Sequence, residues 1–172
     1  MTTLSNKYKE IILEAANNQT IDPLTFAAIL VDEYLRMGLD DWFDWAASIG
    51  IATTVGIGQV SLETARGLIN KGLYNPNSKD EKLQSETIDK TSNVHLYSYL
   101  KEPVHSANLS AAKIRYDINR WKPYVDVSNR PEILGTLYSQ GDIPVHANPK
   151  PDVNRGIQIG TEFYQIAKTV FK

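Results

Sequence analysis

Asp22-Pro23-Leu24-Thr25-Phe26-Ala27-Ala28-Ile29-Leu30-Val31-Asp32-Glu33-Tyr34-Leu35-Arg36-Met37-Gly38 reads as one helix with both ends marked. Asp22 is a capping acid, Pro23 suits the first turn, and Gly38 is placed to be the C′ residue. Leu24, Ala27, Ala28, Val31 and Leu35 form one apolar stripe, and Phe26, Ile29, Leu30 and Met37 form a second. A helix that is apolar on two sides is buried by other helices rather than laid on a surface. This predicts a mainly α fold with 22–37 near its centre.

The flanking sequence supplies the partners. Leu4 to Ala16 has helical apolar spacing and is expected to end at Asn17-Asn18. Thr53 to Val60 is β-branched and glycine-rich, which predicts a turn or short hairpin. Ser61 is expected to cap a helix through Lys71, closed by Gly72. Tyr74 to Ser85 reads as a surface loop, and Asn93 to Lys101 as a helix that stops before Pro103. Asn108 is expected to cap a helix through Trp121, and Pro131 to start one ending near Ser139, before Gly141. His146 to Arg155 reads as a loop, and Thr161 to Phe171 as a closing helix. No internal repeat is present, so residues 1–172 are expected to form a single domain.

Composition excludes several classes of function. The chain has 172 residues, of which 42% are hydrophobic and 22% charged, the usage of a folded globular protein. It has no cysteine, so disulfides, thiolate zinc sites and a cysteine nucleophile are absent. His95, His105 and His146 are scattered without a ligand spacing, so no metal and no cofactor is expected. Net charge is −2 and no basic run occurs, which speaks against nucleic acid as a partner. The weakly polar stretch from Ala46 to Val60 is too short to cross a bilayer. Met1 to Glu10 lacks an apolar core, so no secretory signal is read there.

Glu33 is the residue with chemical promise. It falls on the stripe of Phe26, Ile29, Leu30 and Met37, where lost hydration would raise its pKa. A carboxylic acid protonated near neutrality can donate to a glycosidic oxygen. The alternative is an acid at the rim of a core helix. Asp32 has Arg36 one turn on and is expected to stay a charged surface acid. In Val55-Gly56-Ile57-Gly58-Gln59-Val60-Ser61, two glycines permit close backbone approach to a ligand, and Gln59 offers both donors and acceptors. A plain architectural turn would use the same glycines. Asp40, Asp41 and Asp44 alternate with Trp42, Phe43 and Trp45; they suit either a ligand-facing cluster or a solvated loop.

Several of these segments carry a resemblance. Asp22-Pro23, Ala27-Ala28-Ile29 and Glu33 resemble the first motif of the soluble lytic transglycosylase and goose-type lysozyme superfamily, in which a buried helix ends in the catalytic glutamate. Gly56-Ile57-Gly58-Gln59-Val60 followed by Thr64-Ala65 resembles the second, usually Gly-Leu-Met-Gln-hydrophobic and then Thr-Ala. Leu100 to Leu109, with Pro103 and Asn108 and then Ala111-Ala112, is similar to the segment around the family's "Asn-Ile". Leu137-Tyr138-Ser139-Gln140-Gly141 resembles the third motif, Ala-Tyr-Asn-Ala-Gly. The matches run in the family's order over residues 22–141. Gly58 stands where the family has methionine, Ser139 where it has asparagine, and an acidic-aromatic insert follows Glu33. The departures resemble lysozyme-like domains of bacterial toxins or phage enzymes.

The resemblance implies a lysozyme-like fold with a glycine-rich turn or hairpin beside a cleft, acting on the MurNAc-GlcNAc β-1,4 bond of a peptidoglycan glycan strand. It implies Glu33 as general acid and then base, with Gly58, Gln59 and Tyr138 as substrate contacts. It places Asp40, Asp41 and Asp44 where a hydrolase of this kind holds its water; a transglycosylase needs no second carboxylate. A bacterial enzyme without a signal is expected to reach the wall by non-classical delivery, and a toxin to meet an inhibitor or immunity protein. Two other readings stay open: a lysozyme-like domain that binds glycan or protein without cleaving, and an unrelated helical interaction protein.

Overall fold

The computed structural model describes residues 6–36, 54–77 and 92–171. The fold is mainly helical, as the spacing of apolar residues predicts. The first helix, α1 (Asn6–Gln19), runs through Asn17-Asn18 and ends one residue beyond them, before Thr20, whose φ of 52° turns the chain. Its last carbonyls are held from outside: Arg115 Nε donates to the Gln19 carbonyl at 2.6 Å. A cation at this position answers both the orphan carbonyl and the negative end of the helix dipole.

The decisive stretch forms α2 (Pro23–Arg36). Asp22 caps it as expected, accepting from the Thr25 amide at 2.9 Å and the Thr25 hydroxyl at 2.6 Å. Its residues from Thr25 to Leu30 are all buried. Strands β1 (Thr54–Val55) and β2 (Val60–Ser61) pair antiparallel as a minimal hairpin, with Val55 opposite Val60. Ser61 then caps α3 (Leu62–Asn70), its Oγ accepting from the Thr64 amide at 3.0 Å.

After α4 (Asn93–Lys101), the longest of the described helices, α5 (Pro103–Trp121), begins earlier than expected. Pro103 both stops α4 and opens α5, because a proline at the first helical position lacks only an amide that has no partner there. Asn108 is therefore an interior residue and not a cap. It is buried, donates to the Val104 carbonyl at 2.8 Å and accepts from Asn18 Nδ2 at 3.1 Å, tying α5 to α1. Helix α6 (Pro131–Gln140) ends at Gly141, whose φ is 76°.

Helix α5 separates two cores. On one side Ala107, Ala111, Ile114, Ile118 and Trp121 pack with α1, α2 and α6. On the other, Leu109 and Ala112 meet Val60, Leu68, Leu96 and Leu100 of the hairpin, α3 and α4. Burying a large core side chain such as Phe26 or Trp121 is worth about 3–5 kcal/mol against alanine.

The C-terminal helix starts earlier than Thr161. Helix α7 (Arg155–Gln158) passes through a π-helical turn at Ile159–Phe163 into α8 (Tyr164–Val170). Asp152 opens it, accepting from the amides of Asn154 at 3.0 Å and Arg155 at 2.7 Å. Gly156 lets α7 lie against α6, since a Cβ there would stand 2.1 Å from Thr136 Oγ1 and 2.7 Å from the Glu132 carbonyl. This contact brings Arg155 to the end of α2. No helix among the described residues is long and apolar enough to cross a membrane.

Candidate active site

Two adjacent acids, Asp32 and Glu33, stand near the C-terminal end of α2, and the structure reverses their expected surroundings. Asp32 is fully buried, not a surface acid. It keeps the expected partner Arg36, Nε to Oδ1 at 2.6 Å, and gains Arg155, whose Nε donates to Oδ2 at 2.8 Å and whose Nη2 also reaches that oxygen. Glu33 is half-buried, its side chain 14% exposed, and Arg155 Nη2 donates to Oε1 at 2.5 Å. One guanidinium thus serves two carboxylates.

Burial nevertheless raises the Glu33 carboxyl above the usual glutamate range, and the Asp32 charge adds to the rise. Arg155 and Lys113 pull it the other way. The rise survives because the arginine is divided: two of its three hydrogen bonds to these acids go to Asp32. Desolvation disfavours a charge more strongly than half of an ion pair restores it.

Tyr138 connects this acid to the hairpin. It is 3% exposed, and its hydroxyl donates to the Gly58 carbonyl. Its phenol is pushed up in pKa, first by burial and then by the Glu33 charge. Lys113 Nζ stands 4.0 Å from the Tyr138 ring centre and donates to the Tyr138 carbonyl at 2.7 Å. Burial lowers the Lys113 pKa, against the pull of Asp117 and Glu33.

Glu33, Gly58 and Tyr138, expected together, therefore lie in one electrostatic neighbourhood. Gly58 and Tyr138 are both buried, however, and act as struts beneath the surface instead of presenting themselves to a ligand. Gly58 has no room for the methionine of the resembled motif: a Cβ there would stand 1.9 Å from Ser110 Oγ and 2.7 Å from the Tyr138 hydroxyl oxygen. Gln59 takes a φ of 50°, and its Nε2 donates to the Gly56 carbonyl at 2.7 Å, folding the amide back onto its own turn. Asp40, Asp41 and Asp44 lie outside the described residues, as do Trp42, Trp45 and Gly38.

Three ionisable groups of this neighbourhood were not expected from the sequence: Arg155 and Lys113, which act on Glu33, and Asp117, which acts on Lys113 and Tyr138. For Arg155 a local signal existed, since Asp152-Val153-Asn154-Arg155 places an acid three residues before a helical arginine. Lys113 and Asp117 sit on α5 at i, i+4, a spacing more often found on a solvated face. Among the described residues no group of three or more His, Cys, Asp or Glu could hold a metal. Comparison with protein families, curated proteins and solved structures finds no match for this chain.

Proposed function

We propose that the chain is a divergent lysozyme-like enzyme that cleaves the MurNAc-GlcNAc β-1,4 bond of peptidoglycan. The supporting observation is the state of Glu33: a carboxyl at the end of a buried helix, raised in pKa by burial although an arginine touches it. In this reading Glu33 donates its proton to the bridging oxygen as the C1–O bond breaks, then accepts one from the attacking hydroxyl. Asp32 supports it by holding Arg155, and Tyr138 by fixing the hairpin at Gly58. Delivery to the wall by a non-classical route, and an inhibitor protein where the enzyme serves as a toxin, belong to the same proposal.

One observation favours a second reading, a domain of this kind that binds without cleaving. The Arg155–Glu33 pair at 2.5 Å occupies the acid. The two readings separate on peptidoglycan sacculi incubated with the protein and with Glu33→Gln. Cleavage predicts muropeptides from the native protein and a loss of at least ~100-fold in the variant. Fragment masses, differing by one water, then distinguish anhydro from reducing ends. No release from either folded protein across roughly pH 4 to 8 would overturn the cleaving reading.

A further inference from the structure

A cleft of about 340 Å³ opens between α3 and α5 and is closed at one end by the Gly141–Asp142 turn. Lys113 and Asp117 of α5 both line it. They stand one helical turn apart, which puts their side chains on one face with Cβ atoms about 5–6 Å apart. Lys113 is half-buried and forms no ion pair among the described residues. Its Nζ has one hydrogen-bond acceptor, the Tyr138 carbonyl at 2.7 Å, and rests on the Tyr138 ring. An ammonium would bring three donors to this single acceptor. A neutral amine suits the place better and keeps a lone pair. Asp117, Glu33 and Asp142 favour the charged lysine, while burial and Arg155 oppose it, and burial prevails. Asp117 is the counterpart. Its side chain is 5% exposed, and burial with a push from Asp142 holds its carboxyl up at about 7, although Lys113 and Arg120 face it. One cleft thus holds an amine and a carboxylic acid, each biased toward its neutral form. That is a nucleophile beside a proton donor.

We propose that Lys113 forms an imine with a small hydroxylated aldehyde or ketone that enters this cleft, with Asp117 donating the proton. The amine lone pair makes the C–N bond as the carbonyl π electrons move to oxygen, and a proton passes from nitrogen to that oxygen. Asp117 then protonates the new hydroxyl, the C–O bond breaks and water leaves. The balance is one water released and one proton taken from Asp117, leaving a protonated imine and a carboxylate. The two charges arise together as a pair, so neither is left buried alone. Thr64, Tyr116 and Asp142 also line the cleft and offer oxygen atoms to the hydroxyls of such a ligand. The step does not use Glu33 and stands apart from glycan cleavage.

The test is reductive trapping. The full chain is incubated with equimolar glycolaldehyde and cyanoborohydride, and labelled lysines are located by peptide mass spectrometry. At pH 7 an ordinary lysine is almost wholly ammonium, so Lys113 should be labelled at least ~10-fold ahead of the exposed Lys71, Lys122 and Lys150. Lowering the pH from about 9 to 7 should slow the exposed lysines about 100-fold and Lys113 far less. Asp117→Asn should slow labelling of Lys113 about tenfold or more and leave the exposed lysines unchanged. A merely electrostatic Asp117 would do the reverse, because its charge favours the ammonium. Propionaldehyde, which lacks the hydroxyl, should label Lys113 less than glycolaldehyde does. Labelling in proportion to exposure, Lys113 reacting last, or a Lys113 rate that Asp117→Asn leaves equal or raises would overturn the proposal. Equal labelling by propionaldehyde would overturn the hydroxylated class of ligand. The pH profile of the native protein decides the matter even where Asp117→Asn does not fold.

Discussion

Arg155 Nη2 lies 2.5 Å from Glu33 Oε1 while the same guanidinium holds the fully buried Asp32. Sharing makes two substitutions act on Glu33 with opposite sign. Arg155→Met removes the main influence that lowers the Glu33 pKa, so the pKa rises further. Asp32→Asn removes a repelling charge and releases the arginine to Glu33, so the pKa falls. Carboxyl-carbon titration of Glu33 in both variants checks this without reference to activity. Movement in the same direction would refute the shared-arginine account.

Arg155→Met should also unfold more readily. It leaves Asp32 buried with Arg36 alone, whose side chain is 41% exposed. Removing one partner of a buried charge costs on the order of 3 kcal/mol. Denaturant unfolding should show that loss as a lower midpoint at unchanged slope. The Arg36→Met variant should lose less, because its side chain is the more exposed of the two, 41% against 26%, and Arg155 stays on Asp32.

The two acids also show where the sequence ceases to be legible. The helix itself was readable: Asp22 caps it, Pro23 opens it, and its apolar run is buried. Which acid faces inward was not, because a helix apolar on two sides offers no unique outer face. The pair Asp32–Arg36 suits a solvated or a buried acid equally. What decides is Arg155, 123 positions away, which no local window contains. Asn108 failed differently. Its capping preference was real, but Pro103 had already opened the helix, and the amide of Asn108 bonds inside it. Of the expected site, Glu33, Gly58 and Tyr138 were legible as neighbours. Their burial was not, because it arises from Ser110 and Lys113 packing over them.

Asp117 gives the protein a stability that depends on pH. Its carboxyl titrates at about 7 in the folded chain, against 3.8 as its ordinary value. Between those values the folded state binds the proton and the unfolded state does not. Stability therefore falls as pH rises from about 4 to about 7 and levels off above. Asp117→Asn should flatten this slope, with the largest gain over the native protein at and above pH 7, on the order of a few kcal/mol. Urea unfolding of both proteins at a series of pH values measures it. Parallel pH profiles would show that Asp117 ionises freely.

Gly58→Ala should displace the hairpin. The new Cβ would meet Ser110 Oγ at 1.9 Å and Ser110 Cβ at 2.6 Å, and α5 cannot yield because Ser110 is buried in its middle. Overpacking of this kind costs roughly 1–3 kcal/mol. Gly58→Met, which restores the residue of the resembled motif, should be worse still. Thermal unfolding gives the order: native, then alanine, then methionine. A methionine variant as stable as the native protein would mean that the hairpin is free to move off α5.

Tyr138→Phe separates the strut from the acid. It removes only the hydroxyl that donates to the Gly58 carbonyl, at a site 3% exposed. The carbonyl left without its donor costs about 1–3 kcal/mol. Lys113 keeps its place, since it bonds the Tyr138 carbonyl and rests on the ring, and both remain. The Glu33 pKa should therefore hardly move, because no influence on it passes through the hydroxyl. In the glycan-cleaving reading this predicts a weaker KM with kcat nearly unchanged, as the hairpin loosens while the acid stays poised. A fall in kcat at constant KM would instead place the hydroxyl itself against the reacting sugar, which requires Tyr138 to leave Gly58 during turnover. Hydrogen exchange at the hairpin amides with bound glycan would then show that opening directly.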